Sequence, residues 1–266
     1  MIKFCSLYSG SSGNAIFISN ERARILIDAG LSGKRIAEAL ISIGEDPAGL
    51  SAILVTHEHN DHIKGVGVIS KRYDIPIYAN ELTWQYLQSN ITNISKINHK
   101  NIKYFDNNRE FEICGIGVKA FSIPHDANDP VGFCFYSEGK KITIATDIGH
   151  ITSELTESLD GSDLLLLESN HDVGMLKVGP YPWWLKQRIL GEKGHLSNEV
   201  AGEVIADMAE NGTRFFFLGH LSRENNFPEL AYQTVSNALT ERKICIGTDI
   251  TLDVARRDCA SRVVCM

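Results

Sequence analysis

Thr56-His57-Glu58-His59-Asn60-Asp61-His62 sets three imidazoles and the Asp61 carboxylate within six residues, in the order H-x-H-x-D-H. The run Ser51 to Val55 just before it is short, apolar and β-branched, and predicts a buried strand that delivers the cluster at its C-terminal end. Alternate residues of an extended backbone share a side, so His57 and His59 can grip one metal ion. Asp61 and His62 open a helical turn and can face a second. Imidazole and carboxylate together suit Zn, Mn or Fe. The competing reading, surface histidines in a loop, has to explain why so many ligand types follow one apolar strand directly.

A metal centre needs ligands from elsewhere in the chain. His125 follows Phe121-Ser122-Ile123-Pro124, Asp147 follows Ile142 to Thr146, and His220 follows Phe215 to Gly219. Each is a polar group directly after a β-rich run, where sheet proteins carry functional residues. Asp28 ends another such run and fits a supporting role, bonding a ligand histidine or holding the loop.

Around these points the chain reads as strands over Ile2 to Tyr8, Ala15 to Ser19 and Arg24 to Ile27, then an amphipathic helix behind Ser32. A helix over Ile63 to Arg72, a strand over Ile75 to Ala79 and a helix over Glu81 to Gln88 follow. Asn90 to Asn108 is polar and reads as a surface connection. A second group of strands covers Glu110 to Ile113, Gly117 to Ile123, Val131 to Ser137 and Lys141 to Thr146. Helices are expected over Thr152 to Leu159, Ser197 to Glu210 and Pro228 to Thr240, with strands over Asp163 to Leu167, Arg214 to Leu218 and Ile244 to Ile250. Met175 to Leu190, with two prolines and two tryptophans, is expected to be irregular and to cover something. Two groups of strands, each followed by helices, predict an α/β protein of two sheets packed face to face with helices outside.

Composition narrows the function. The 266 residues are 43% hydrophobic and 22% charged, an ordinary globular balance that one domain over 1–266 accommodates. No apolar run approaches the roughly 18 residues of a membrane span. No signal peptide is visible at the N-terminus. Six scattered cysteines without a CxxC pair, most of them in apolar runs, point to a reduced, cytoplasmic protein. The net charge of −7 argues against nucleic-acid binding through a broadly basic surface. It does not exclude a nuclease, because bound cations would set the field of the cleft.

Taken together, Asp28, the H-x-H-x-D-H run, His125, Asp147 and His220 resemble the five motifs of the metallo-β-lactamase superfamily. The resemblance implies an αββα sandwich with a dinuclear centre at one edge. It implies that His57, His59 and His125 hold one ion, that Asp61, His62 and His220 hold the other, and that Asp147 bridges them. Asp147 stands where true β-lactamases of this class often carry cysteine, which is the pattern of the hydrolase and nuclease branches. Ser9 to Asn14, Glu168 to Asp172 and Gly219 to Asn226 further resemble the WalJ/YycJ-type bacterial exonucleases, which implies 5′-to-3′ attack on DNA. Gly194-His195-Leu196-Ser197-Asn198 resembles a helix-opening motif of ribonuclease Z, which implies that His195 is a general acid or phosphate contact. Plain placement near a helix start is the alternative for His195.

On the substrate side, the turn Ser12-Gly13-Asn14 can offer backbone N–H groups to a phosphate, or can be only a hairpin turn. Arg223, Asn225 and Asn226 can reach phosphate or base, and Asn170 and His171 are expected to line the cleft. Trp183 and Trp184 are expected to pack in a core or lid, with base stacking as the alternative. His99 is expected in solvent, and His150 is not expected to be a ligand. A metal core alone does not separate phosphodiester from carbonyl substrates, so a ribonuclease, lactonase or thioesterase of the same fold stays open. So does a nucleotide or metal sensor without turnover.

Overall fold

Leu164 to Leu167 alternates between two hydrophobic layers. Leu164 and Leu166 enter one core with Phe4, Ile25, Leu54 and Phe133, while Leu165 and Leu167 enter another with Ile205, Val235 and Leu239. A strand buried on both faces has no polar side, hence the unbroken leucine run. The computed structural model describes residues 1–90, 94 and 97–266.

Among them the strands are β1 (Lys3–Tyr8), β2 (Ala15–Ser19), β3 (Arg24–Ile27), β4 (Ala52–Leu54), β5 (Ile77–Ala79), β6 (Ile102–Tyr104), β7 (Glu110–Ile113), β8 (Ile116–Ser122), β9 (Val131–Ser137), β10 (Lys140–Ala145), β11 (Leu164–Glu168), β12 (Phe215–Gly219), β13 (Thr251–Val254) and β14 (Val264–Cys265). They form two seven-stranded sheets, in the orders β14-β1-β2-β3-β4-β5-β6 and β13-β12-β11-β10-β9-β8-β7. The helices are α1 (Gly33–Ser42), α2 (Asn60–Ile63), α3 (Val66–Tyr73), α4 (Glu81–Asn90), α5 (Ser153–Leu159), α6 (Val173–Val178), α7 (Trp183–Leu190), α8 (Asn198–Glu210) and α9 (Pro228–Glu241). Ile36 and Leu40 of α1, Ile69 of α3 and Trp84 of α4 cover the outside of the first sheet, against Leu26 and Ile53. Leu155 of α5, Ile205 of α8 and Val235 of α9 cover the outside of the second. The result is the αββα sandwich expected from the two groups of strands.

Strands β3 and β4 run parallel, as do β10 through β13. Parallel strands place their C-terminal ends along one edge, where open α/β sheets bind ligands. Asp28, Asp147 and His220, each at a strand exit, have left-handed backbones with φ of 58°, 63° and 54°. That region costs a residue with a Cβ about 1–3 kcal/mol, and Asp and His are among those that enter it most readily. It turns the chain sharply off the sheet and keeps the side chain over the edge.

Several expectations are corrected. The helix over Ile63 to Arg72 is two helices, broken where the Gly65 N–H donates to the Ala29 carbonyl at 2.7 Å. Met175 to Leu190 is helical: the Asp172 carboxylate caps α6, and the prolines fall between α6 and α7 rather than inside them. Ile244 to Ile250 is a loop, because Gly247 turns at φ 96° and the Asp249 carboxylate accepts the Cys245 N–H, so the last strand of that sheet is β13. Of the polar connection, residues 91–93 and 95–96 lie outside the described residues. Its remainder supplies β6, and Ile94, Ile97 and Phe105 are buried rather than on the surface. Only Cys5 and Cys134 are buried, and all six cysteines are free thiols.

Candidate metal centre

At the sheet edge, most of the imidazoles have Nδ1 tied to the protein, leaving Nε2 to face inward. His62 Nδ1 lies 2.8 Å from Asp28 Oδ2, His125 Nδ1 lies 3.1 Å from the Gly194 carbonyl, and His195 and His220 each place Nδ1 2.8 Å from Glu168 Oε1. Carboxylate and carbonyl oxygens only accept, so each of these Nδ1 atoms carries a proton, and for His62, His125 and His220 Nε2 is the nitrogen left to offer a lone pair. For His57 the tie is Thr56. Its hydroxyl donates to Asp28 Oδ2 at 2.8 Å and accepts from His57 Nδ1 at 3.0 Å. His59 turns the other way, with Nδ1 3.3 Å from His125 Nε2.

These free nitrogens fall into sets whose ligand atoms lie within 4.8 Å of one another. One set is His57, His59 and His125; a second is Asp61, His62 and His220. Asp147 stands between them, with Oδ1 3.8 Å from His125 Nε2 of the first set and Oδ2 3.3 Å from His62 Nε2 of the second. All of the residues expected as ligands from the sequence are therefore together, with Asp28 directly behind His62 and Thr56.

The electrostatics favour a cation. Asp28, Asp147 and Glu168 are 2%, 3% and 0% exposed, and buried carboxylates are costly unless paired. Burial opposes a charge on His62, yet Asp147, Asp28 and Asp61 outweigh it and push its pKa up to about 9. Burial and the surrounding imidazoles hold His57 well below the usual histidine range. Burial opposes ionisation of Asp147, but His220, His62 and His125 bring its carboxyl below the ordinary value. His57 Nε2 and Asp147 Oδ2 are buried without a hydrogen-bond partner, a rare condition for polar atoms and one that a ligated ion relieves. The donor set fits divalent metal binding.

Thr56 and Glu168 carry much of this order; the sequence assigned neither a role, although Glu168 opens one of the stretches that carry the family resemblance. Glu168 Oε2 also accepts Ile148 N–H at 2.8 Å and Leu196 N–H at 3.0 Å, so all its acceptor positions are used. Beside that stretch its signal was position: a carboxylate closing a leucine strand, as Asp147 and His220 follow theirs. Thr56→Val is expected to lose about 1–3 kcal/mol of stability, measured by denaturant melts. It removes one donor from Asp28 and leaves His57 Nδ1 unpartnered; an unchanged midpoint would contradict this role.

The substrate-side residues divide. Ser12 is exposed beside Gly13, and Asn170 lines a cavity of about 150 Å³ with Ser11, Ser222 and His195, its Nδ2 donating to the His220 carbonyl. Arg223 is exposed next to Ser222. His195, with a side chain 21% exposed, also lines a second cavity of about 240 Å³, with His171 behind it. Burial opposes a charge on His195, but the Glu168 carboxylate outweighs it and raises the pKa. The expectation for Asn14, Asn225 and Asn226 is corrected. All three are buried rather than presented at the surface, with Asn14 bonded toward His62, Asn225 enclosed and Asn226 saturated by Ser169, Asn170 and Asn198, so they form part of the wall beside the centre. Trp183 and Trp184, expected in a core or lid, are 70% and 65% exposed. His150 bonds the Glu192 carbonyl and joins none of the ligand sets, and His99 is exposed.

Residues 23–220 match the model of the β-lactamase superfamily domain. An exodeoxyribonuclease WalJ of Streptococcus pneumoniae serotype 2 (strain D39) is 40% identical over 247 residues, 93% of this chain and 91% of that protein. An exodeoxyribonuclease YycJ of Bacillus anthracis is 40% identical over 248 residues, 92% of each. Zinc-bound PqqB of Methylobacterium extorquens superposes with a TM-score of 0.72 at 18% identity, over 98% of this chain and 100% of that one, a likeness of fold.

Proposed function

The chain belongs to the metallo-β-lactamase superfamily, in its WalJ/YycJ-type branch, and on that premise we propose that it is a metal-dependent exodeoxyribonuclease attacking DNA from the 5′ end. The reading treats residues 1–266 as a single hydrolase domain. The observation that carries it is the pair of histidine-rich donor sets on either side of Asp147, with His195 held at the cleft.

In this reading His57, His59 and His125 hold one divalent cation, Asp61, His62 and His220 hold a second, and the Asp147 carboxylate lies between them. Zn, Mn and Fe all suit these donors. Such ions supply an activated water and offset the negative charge that builds on a phosphodiester under attack. Asp61, at the cleft side of its set, orients the attacking water by accepting one of its protons in a hydrogen bond. His195, protonated at both nitrogens with Nδ1–H on Glu168, gives its Nε2 proton to the leaving oxygen as the bond to phosphorus breaks. Glu168 holds that ring in place and favours its charged form. The Ser12-Gly13 turn, Asn170, His171 and Arg223 form the wall along which the strand lies.

No helix among the described residues is long and apolar enough to cross a membrane. Six free thiols, four of them exposed, suit a reducing compartment, and we place the protein in the cytoplasm on that ground. The decisive experiment offers protein loaded with Zn or Mn a 5′-phosphorylated DNA strand, RNA of the same sequence and a lactone. DNA is expected to shorten from its 5′ end, and chelation to abolish cleavage. Hydrolysis of the lactone or of RNA in preference to DNA would overturn the assignment. Metal analysis is expected to return two ions per chain, and one ion would remove the dinuclear reading.

A further inference from the structure

Asp126 directly follows His125, and its two oxygens have different surroundings. Oδ2 accepts from Arg188 Nε of α7 at 2.5 Å. Oδ1 is buried and has no hydrogen-bond partner among the described residues. It lies 3.3 Å from His125 Nε2. That is the nitrogen His125 presents to the first set, since its Nδ1–H goes to the Gly194 carbonyl. An imidazole lone pair and a carboxylate oxygen therefore face each other, and both are acceptors. Two buried acceptors in this arrangement are costly, and a cation beside both removes the cost.

The spacing is that of donors to one ion. His59 Nδ1 stands 3.3 Å from the same His125 Nε2. In the second set, Asp61 Oδ2 stands 3.6 Å from His62 Nε2 and 3.5 Å from His220 Nε2. Asp126 Oδ1 sits at the rim of its set, since the three nitrogens come within 4.8 Å of one another without it. It meets an ion there directly or across one water, and in both cases it brings a negative charge. The charge count points the same way. The second set has a carboxylate of its own, Asp61, whereas the first has three imidazoles and a share in Asp147. With Asp126, each set has one carboxylate. Asp126 also lines the cavity of about 150 Å³ with Asn170 and His195, so this rim of the first set faces the cleft.

We propose that Asp126 is the anionic member of the first set: Oδ1 gives its charge to the ion held by His57, His59 and His125, while Arg188 holds Oδ2 and fixes the carboxylate's direction. This rests on the two-set metal reading above and extends it to metal selectivity. Imidazole suits Zn, and a carboxylate moves a site toward Mn. Asp126 thus favours the harder ion at the first site.

The test titrates metal-free protein with Mn in the absence of DNA and reads unbound Mn from its EPR signal. Asp126→Asn keeps the size of the side chain and an acceptor for Arg188 but carries no charge. It is expected to raise the Kd of one Mn ion about 10–100-fold, and the Kd of Zn by clearly less. Asp126→Glu, which restores the charge, is expected to recover Mn affinity. Arg188→Met removes the tie to α7 and leaves the carboxylate, so its Mn Kd is expected to stay within about threefold of wild type. In a His59→Ala background, where the first set is already broken, adding Asp126→Asn is expected to change Mn binding by about twofold or less. Three results would overturn the proposal: Asp126→Asn binding Mn as wild type does, Arg188→Met losing as much affinity as Asp126→Asn, or a full further loss in the His59→Ala background. The second would make Asp126 a dock for α7, and the third would place it at the other ion. If Mn binding behaves as expected but no DNA is cleaved with any metal, the exonuclease reading fails and the role of Asp126 stands. If DNA is cleaved and Asp126→Asn binds Mn as wild type does, the role of Asp126 fails and the exonuclease reading stands.

Discussion

Glu168→Gln is expected to lower kcat/KM on DNA by a factor on the order of 10²–10⁴. The wild-type carboxylate accepts from His195 Nδ1 and His220 Nδ1 on one oxygen, and from Ile148 N–H and Leu196 N–H on the other. Glutamine has the same shape but only one acceptor oxygen. If that oxygen serves the two backbone N–H groups, the carboxamide NH₂ faces both imidazoles. Their Nδ1 atoms must then accept, which moves each proton to Nε2. His220 no longer offers a lone pair to its set, and its metal affinity is expected to fall about 10–100-fold. His195 also loses the carboxylate that favours its charged form, so proton delivery slows. The opposite amide orientation leaves two buried N–H groups facing an NH₂. Metal content and steady-state rates check this together. A purely structural role would lower the melting temperature and leave the metal stoichiometry at wild-type values, and that pattern would refute the positioning role.

Gly30→Ala is expected to destabilise the protein by about 3 kcal/mol, and hence to lower Tm by roughly 6–12 °C for a chain of this size. A Cβ at Gly30 would stand 1.6 Å from the Asp61 carbonyl oxygen and 2.6 Å from the Asn14 nitrogen. Three loops cross there. Asn14 N–H donates to the Asp61 carbonyl at 2.8 Å, Gly30 N–H to the Asn14 carbonyl at 2.8 Å, and Ala29 N–H to the His62 carbonyl at 2.7 Å. Since the obstacle is backbone, Asp61 and His62 must move. A displacement of about an ångström at such a centre costs on the order of 10² in rate. Gly49→Ala is the control, since its nearest neighbour is the Arg24 side chain at 3.6 Å. Thermal melts of the two variants separate the cases, and equal melting temperatures would show that the crossing has slack.

The candidate metal donors were legible because their information is local. An H-x-H-x-D-H run after an apolar strand is chemically rare, and His125, Asp147 and His220 each sit at a strand exit that hydropathy alone marks. Glu168 was less visible, since what makes it important is two histidines that reach it from 27 and 52 residues away. Asn14, Asn225 and Asn226 looked like substrate contacts because carboxamides near a ligand can serve either a phosphate or the backbone, and only the packing of neighbouring loops selects between these. The eight residues of α7 are too few for periodicity to say which side faces water, so its tryptophans were misplaced.

Most of the strands and helices, the two-layered sheets and the inventory of metal donors follow from apolar period, turn residues and ligand chemistry, all read within a few residues of each position. Only the tertiary structure decided which nitrogen of each imidazole faces the centre, which polar groups are walls and which line the cleft, and that α7 turns its indoles outward. Those outcomes depend on hydrogen bonds between distant segments, such as the His220 N–H to Ser9 Oγ bond across 211 residues. A buried donor or acceptor takes whichever partner the fold brings to it, and the chain itself does not state that choice.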